Sequence, residues 1–133
     1  MFDTKDEIVN FLKKKNFQKR INTLSKKYAD KKIIIYGAGM TFEAIKENFD
    51  LSNLNIIGIA DMKFDEGQEF MGYKTYQYNT FLKEKQDLVL IGMIESDIAE
   101  EFFKEELYPE FGKFNHEPLI KFSIFDLVKM LFK

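Results

Sequence analysis

The first thirty residues carry the hydrophobic spacing of two amphipathic helices. The segment TKDE at residues 4–7 has the form of a capping box, and apolar residues follow it directly. This pattern predicts a first helix over residues 5–14. Further apolar residues recur at spacings of four, three and four, namely Phe17, Ile21, Leu24 and Tyr28. They define one face of a second helix. We expect residues 1–30 to form a helical lead-in to the domain that follows.

From residue 31 onward, short apolar runs alternate with helical segments. The predicted strands cover residues 32–36, 55–61, 73–76, 87–92 and 118–122. The predicted helices cover residues 40–48, 80–85, 97–107 and 123–133. Ser96 is expected to cap the third of these helices and Pro109 to stop it, while Ser123 is expected to cap the last. Residues 62–72 contain acids and two glycines without a clear period, and they are predicted to form a loop.

This alternation of strands and helices predicts the fold class. It favours right-handed βαβ units, which build a mostly parallel sheet with helices on both faces. No repeat or linker divides the 133 residues, and a chain of this length buries one core without cross-links. The sequence therefore predicts a single Rossmann-like three-layer α/β domain. Residues 1–30 are its lead-in, residues 31–122 its α/β core and residues 123–133 a terminal apolar helix.

Composition narrows the setting and the partners. The chain has no cysteine, which excludes disulfides, thiolate metal sites and a cysteine nucleophile. It begins without the pattern of a secretory signal and its apolar runs are short, so we expect a cytoplasmic protein with no integral membrane segment. Residues 1–32 hold ten basic and four acidic residues, a net charge of +6, against −8 for the remainder. We interpret this basic segment as a solvated helix face and expect no nucleic-acid partner; contact with phosphates or an acidic membrane surface is the alternative.

The first strand of the core ends in the turn Tyr36-Gly37-Ala38-Gly39, and a helix follows. In open α/β sheets a ligand binds beyond the carboxyl ends of the strands. The first glycine allows a tight turn, the second lets backbone approach a phosphate, and the helix start supplies free N–H groups. Thr41 adds a hydroxyl donor. Asp61 ends the second strand, 22 residues after Gly39, where a carboxylate can accept hydrogen bonds from ribose.

The turn also departs from the dinucleotide-binding fingerprint. Phe42 stands where a third glycine is expected, so its ring either pushes the helix outward or fills the pyrophosphate seat. Glu43 adds negative charge near the helix start, and the turn contains no Lys or Arg. A glycine turn that serves only the backbone geometry is therefore the alternative interpretation.

Three segments of the core resemble a Rossmann-like domain of bacterial sugar-modifying proteins. They are KKIIIYGAGMTFEAI, IIGIADMKFDEGQEFMGYKTY and DLVLIGM. Such a domain lies at the N-terminus of sugar O- and N-acyltransferases of the sialic-acid and bacillosamine type, and similar domains accompany sugar C-methyltransferases and capsule or lipopolysaccharide biosynthesis proteins. The resemblance covers roughly residues 31–107 and implies a holder for a nucleotide-sugar. The ligand-binding residues expected from the turn and the resemblance are Gly37, Ala38, Gly39, Met40, Thr41 and Asp61, with Gly92 and Met93 at the rim.

The resemblance does not extend to catalysis. The acyltransferases carry a histidine just after the glycine turn, where this chain has Met40, Thr41 and Phe42. They also carry a β-helix of hexapeptide repeats for the acyl-CoA, and no such repeat is present here. Acyl transfer is therefore not inferred. His116 is the only histidine and is interpreted as a surface-loop residue; the acids at residues 65, 66 and 69 lack metal-loop spacing, so neither a catalytic residue nor a metal is expected.

Three functions remain open. The favoured hypothesis is an accessory, non-catalytic module that binds a nucleotide or nucleotide-sugar, linked to bacterial surface-polysaccharide and sugar modification. The second is a small NAD-dependent oxidoreductase, since Asp61 suits an unphosphorylated ribose. The third is a structural or dimerisation domain with a vestigial nucleotide site. Residues 124–132 are largely apolar, which predicts that the terminal helix packs on the core, forms a homodimer or associates with a sugar-modifying enzyme.

Overall fold

The computed structural model describes residues 2–65 and 67–121, together with Asp126 and Val128. The helices are α1 (Lys5–Lys14), α2 (Phe17–Lys27), α3 (Met40–Asn48), α4 (Ser96–Phe102) and α5 (Tyr108–Phe111), with a 3-10 turn at Phe81–Lys83 and a π-helical segment at Phe103–Leu107. The strands are β1 (Ile33–Tyr36), β2 (Ile56–Asp61), β3 (Glu69–Phe70), β4 (Tyr73–Gln77), β5 (Leu88–Ile91) and β6 (His116–Pro118).

The six strands form one sheet in the order β3-β4-β2-β1-β5-β6. Every neighbouring pair is parallel except β3 and β4, which are antiparallel. The chain moves outward from β1 through β2 to β4, then crosses to the other side of β1 to form β5 and β6, as in doubly wound sheets. The predicted class, a single α/β domain with a mostly parallel sheet and an N-terminal helical segment, is confirmed.

The helical lead-in is one layer of this domain. The Thr4 hydroxyl accepts a hydrogen bond from the Glu7 amide at 3.2 Å, so α1 begins where the capping box predicts. Apolar residues of α1, α2 and α3 share one core cluster with inward residues of β1, β2 and β5. Burial of this amphipathic face, more than helix propensity, holds such short helices in place. The opposite face of the sheet is covered by α4, the π-helical segment and the 3-10 turn, with many aromatic rings.

The helix after β5 differs from the prediction at both ends. Ser96 is its first residue, while Glu95 occupies the capping position and makes no side-chain capping bond. Pro109 does not stop the helix, which continues through the π-helical segment Phe103–Leu107 into α5 and ends at Gly112 (φ 81°). Proline lacks an N–H and its ring collides with the carbonyl four residues earlier. The wider π turn just before Pro109 relieves that conflict, so the helix runs on.

Two other predictions need correction. The stretch 62–72 is not entirely a loop, because β3 pairs with β4 through a two-residue turn. Met71 and Gly72 form this turn with φ of 50° and 87°, which matches the twist of a hairpin. The last strand is His116–Pro118 rather than residues 118–122, and Leu119 and Ile120 are buried just beyond it.

The terminal helix predicted for residues 123–133 lies mostly outside the described residues, as do Phe122 and Ser123. Asp126 and Val128 are helical, and Asp126 forms an ion pair with Lys15 of the lead-in. In the part of the chain that the structure describes, no helix combines the length and the apolar character needed to cross a membrane.

Candidate functional site

A cleft lies beyond the carboxyl ends of β1, β2 and β5, where the strand order reverses. It consists of two adjoining cavities that share Gly37, Asp61 and Met93. The first, which we call the turn cavity, measures about 280 Å³ and is lined by Gly37, Gly39, Met40, Thr41, Asp61, Gly92, Met93 and Glu95. The second, the apolar cavity, measures about 420 Å³ and is lined by Tyr36, Gly37, Asp61, Met62, Tyr78, Met93, Ile98, Ala99 and Phe102.

Seven of the eight residues predicted for the site line the turn cavity, and Ala38 is the exception. The side chain of Ala38 is buried in the core beneath the turn. Its N–H donates to Asp61 Oδ2 at 2.7 Å, so this amide is already paired. Ala38 therefore shapes the turn from below, and the other residues surround the open space above it.

The Ala38 peptide is held at both polar atoms by the segment that follows β2. Asp61 accepts from the Ala38 amide with Oδ2 and from the Lys63 amide with Oδ1 at 3.0 Å. The Lys63 ammonium donates to the Ala38 carbonyl oxygen and lies 4.3 Å from the centroid of the Phe70 ring. The Asp61 carboxylate thus positions the turn. Each of its oxygens retains a lone pair, so it can still accept from a ligand hydroxyl.

The backbone conformation favours glycine at only one of the two glycine positions of the turn. Gly37 has φ of 106°, a conformation that side chains disfavour, and its amide donates to the Ala60 carbonyl at 2.9 Å. Gly39 has φ of −85° and ψ of −164°, an extended conformation that any residue adopts. A Cβ built on Gly39 meets no atom within 4 Å. Within the described chain neither backbone strain nor crowding requires this glycine, and its missing side chain leaves the start of α3 open.

Unpaired amides face this opening. The first N–H groups of a helix have no partner within the helix. Among the described residues, no side chain caps α3, and no carbonyl accepts from the amides of Gly39, Met40 or Thr41. The partial positive charge of the helix start is concentrated at these groups. Together with the Thr41 hydroxyl, they form a set of donors suited to an anion.

Phe42 does not fill this seat, which excludes one of the two effects expected of its ring. Its ring is fully buried and lines neither cavity. A Cβ built on Gly92 would lie 3.2 Å from Phe42 Cδ1 and 3.0 Å from Ile35 Cγ2. In the dinucleotide-binding fingerprint, a third glycine on the helix lets the helix pack closely against the strand. Here the helix carries Phe42 at that position, and Gly92, directly after β5, leaves the space that the Phe42 ring occupies.

The apolar cavity has aromatic walls and an apolar rim. Tyr36, Tyr78 and Phe102 form one side, with the rings of Tyr36 and Phe102 stacked at 6.3 Å. Met62 and Ile98 stand at the rim with 73% and 60% of their surface exposed. Burial, assisted by the charge of Asp61 and by Tyr78, raises the pKa of Tyr36 to about 12, so the phenol keeps its proton at neutral pH.

Several residues of the cleft are not evident from the sequence. Lys63 reaches the turn from 25 positions away, and Glu95 enters from the β5 side. Met62 and Tyr78 directly follow β2 and β4, which is the available signal, since residues after parallel strands gather at one edge of the sheet. Among the described residues, those with a charge that line the two cavities are Asp61 and Glu95, and both are acidic.

His116 is not a surface-loop residue, contrary to the prediction. It lies on β6 against the rings of Phe103 and Phe114, and its Nε2 is 2.6 Å from the Tyr108 hydroxyl. Burial lowers the pKa of His116, outweighing the nearby Glu100 carboxylate, which raises it. It lines neither cavity. In residues 2–65 and 67–121, no three His, Asp or Glu side chains are grouped as metal ligands would be.

A family model described as C2185-like, N-terminal, matches residues 29–109 of the chain, which is more than half of its 133 residues. The described residues that line the two cavities lie within this matched segment. No curated protein and no solved structure matched the chain.

Proposed function

We propose that this chain, which belongs to the C2185-like, N-terminal family, is a module that binds a nucleotide or nucleotide-sugar. The observation that carries the proposal is Gly39. This glycine is required neither by its backbone angles nor by its described neighbours, yet it keeps the start of α3 open to the turn cavity. A phosphate needs such an approach to reach backbone N–H groups.

The phosphate is assigned to the turn cavity. The unpaired amides of Gly39, Met40 and Thr41 and the Thr41 hydroxyl supply hydrogen-bond donors there. The start of α3 adds the partial positive charge of nine aligned peptide units. Because Asp61 and Lys63 hold the Ala38 peptide, the turn needs no rearrangement to present these donors.

The base is assigned to the apolar cavity. This cavity joins the turn cavity at Gly37, Asp61 and Met93, so one ligand can extend from one to the other. Its volume of about 420 Å³ lies within the range of small-molecule sites. The exposed side chains of Met62 and Ile98 would be covered by a planar ring placed between them. A ribose between base and phosphate would then lie at Asp61.

The accessory role follows from the groups that the cleft offers. The polar side chains among its described lining residues are Tyr36, Thr41, Asp61, Tyr78 and Glu95, and none of these hydroxyls is hydrogen-bonded to a carboxylate that could act as its base. We therefore propose binding without catalysis. A cytoplasmic setting, a link to sugar modification and association through the C-terminal helix rest on the sequence and its resemblance to sugar-modifying proteins.

The test is a thermal-shift panel of UDP, CDP, GDP, their sugar conjugates, NAD and NADP, repeated with Gly39→Val. A ligand at about 100 times its dissociation constant adds roughly 2.7 kcal/mol, which raises the midpoint by several degrees. Gly39→Val should fill the opening and abolish this rise while the unliganded protein melts normally, because the new Cβ meets no described atom. Asn53→Val, on an exposed turn away from the cleft, is the matched control and should retain the rise.

Two results would reject the proposal. The first is a panel with no midpoint shift at millimolar concentrations. The second is an unchanged shift in Gly39→Val, which would place the ligand elsewhere. A shift with NAD alone, together with turnover of its nicotinamide, would instead favour the oxidoreductase.

A further inference from the structure

The charged side chains that line the two cavities are of one sign among the described residues. Asp61 and Glu95 line the turn cavity, and no described Lys or Arg lines either cavity. Lys63, a cation beside the turn, donates its ammonium to the Ala38 carbonyl and stands over the Phe70 ring. A phosphate bound at the start of α3 would therefore meet backbone donors on one side and two carboxylates on the other.

Glu95 occupies an unusual place for a carboxylate. It holds the capping position of α4, where its backbone carbonyl accepts from the Ile98 amide at 3.2 Å, but its carboxylate accepts no amide of that helix. Within the described residues its side chain has no hydrogen bond or ion pair, and it is exposed at the edge of the turn cavity. Since no local partner neutralises it, its charge acts on whatever anion enters the cavity.

The hydrogen-bond donors at the start of α3 can compensate only a small negative charge on a phosphate. A helix start supplies about half a positive charge, and amides and a hydroxyl add dipoles without net charge. A phosphate inside a diester or a substituted pyrophosphate carries one negative charge. A terminal phosphate carries about −1.5 to −2 at pH 7, because its second pKa is near 6. The second charge meets no cationic side chain among the described residues that line the two cavities, and it is repelled by Glu95 and Asp61.

We infer, on the basis of the proposed function, that the cleft selects ligands by phosphate charge. It binds pyrophosphates substituted at both ends, such as nucleotide-sugars and dinucleotides, and it discriminates against nucleotides with a terminal phosphate. Glu95 is the specificity-determining residue, because its carboxylate lines the phosphate seat without a hydrogen bond or ion pair to any described residue. The carboxylate of Asp61 also repels the phosphate, but it positions the turn as well.

The experiment compares UDP with its β-methyl ester, in which the β-phosphate carries one negative charge instead of about 1.5 to 2 and only a methyl group is added. Titration calorimetry at low salt with EDTA should show the ester binding about tenfold more tightly than UDP. Glu95→Gln should strengthen the binding of UDP by about three- to tenfold and leave the affinity for the ester nearly unchanged. The preference for the ester over UDP should therefore become smaller. Glu101→Gln, which removes an equal charge from the exposed part of α4, should leave the preference as it is.

Acidification gives a second measurement on the unmodified protein. Between pH 7.5 and pH 5.5 the terminal phosphate of UDP gains a proton, so UDP binding should strengthen while that of the ester stays constant. The increase in UDP affinity on acidification should be smaller in the Glu95→Gln variant.

The negative results distinguish a failure of the charge selection from a failure of the proposed function. If UDP binds as tightly as its ester, or if Glu95→Gln changes both equally, the charge selection is wrong and the proposed function stands. If UDP binds tightly only when Mg²⁺ replaces EDTA, the carboxylates serve a cation and the inference is overturned. If neither UDP, the ester, nor NAD binds, the proposed function fails and the inference falls with it.

Discussion

Gly92→Ala tests whether the close contact between α3 and the end of β5 shapes this domain. The added methyl would lie 3.0 Å from Ile35 Cγ2 and 3.2 Å from both the Gly37 carbonyl oxygen and Phe42 Cδ1. Non-bonded carbon atoms prefer about 3.5–4.0 Å. All three neighbours are buried, so each must move by several tenths of an ångström.

Overpacking of this kind costs roughly 1–3 kcal/mol. The loss of glycine flexibility in the unfolded chain returns about 0.4–1 kcal/mol, so the net loss lies between about 0 and 2.6 kcal/mol and centres on about 1.3 kcal/mol. An unfolding entropy of about 2.1 cal/mol/K per residue gives about 0.28 kcal/mol/K for 133 residues. The melting midpoint should therefore fall by about 5 °C.

A double-mutant cycle identifies the cause. Phe42→Leu alone should cost roughly 1–2 kcal/mol as a large-to-small substitution, but it withdraws the ring from the new methyl. Gly92→Ala combined with Phe42→Leu should therefore lose less than the sum of the single variants, by about 0.5–1 kcal/mol. Phe81→Leu, the same change in a fully buried ring in the other core cluster, is the control and should be additive with Gly92→Ala.

The assay is urea unfolding of all variants, followed by circular dichroism. Additivity within about 0.3 kcal/mol in both pairs would refute the reasoning, because Gly92 would then not make room for the Phe42 ring. A Gly92→Ala variant more stable than the parent would refute the contact distances themselves.

Two partly buried titratable groups give pH-dependent predictions. Because burial lowers the folded pKa of His116 below its usual 6.5, the protein should lose stability as the pH falls below about 6.5, and His116→Gln should remove that loss; a constant difference between the two proteins at pH 7.5 and 5.5 would contradict this. Burial raises the pKa of Glu117, but hydrogen bonds from Tyr28, Lys27 and Arg20 outweigh it and hold the pKa below 4.5. Glu117→Gln should therefore cost roughly 1–3 kcal/mol at pH 7, and urea melts should show this difference shrinking as the pH falls below 4.5.

Elements specified by local signals are predicted well from the sequence. The capping box at Thr4 and the apolar spacing behind it give the bounds of α1, and the β-branched run before Gly37 gives β1. These signals lie within a few residues of the structure that they specify.

Features that depend on distant partners are not predicted. In the sequence, Lys63 is one lysine in a predicted loop. Only the fold, which places the end of β2 beside the turn, brings its ammonium to the Ala38 carbonyl. Glu95 gains its significance only from the strand order, which brings the end of β5 next to that of β1. Pro109 is tolerated because the turn before it widens, and Met71 adopts a left-handed conformation that methionine rarely takes.

Asp61 and Lys63 fix the Ala38 peptide before any ligand arrives. Ordering a flexible loop during binding would cost roughly 1–2 kcal/mol of backbone entropy for each residue, whereas this loop is ordered during folding. Association at the turn should then be a single bimolecular step, with an observed rate that rises linearly with ligand concentration and shows no slow closing phase. Differences in affinity among ligands would lie mainly in how long each remains bound.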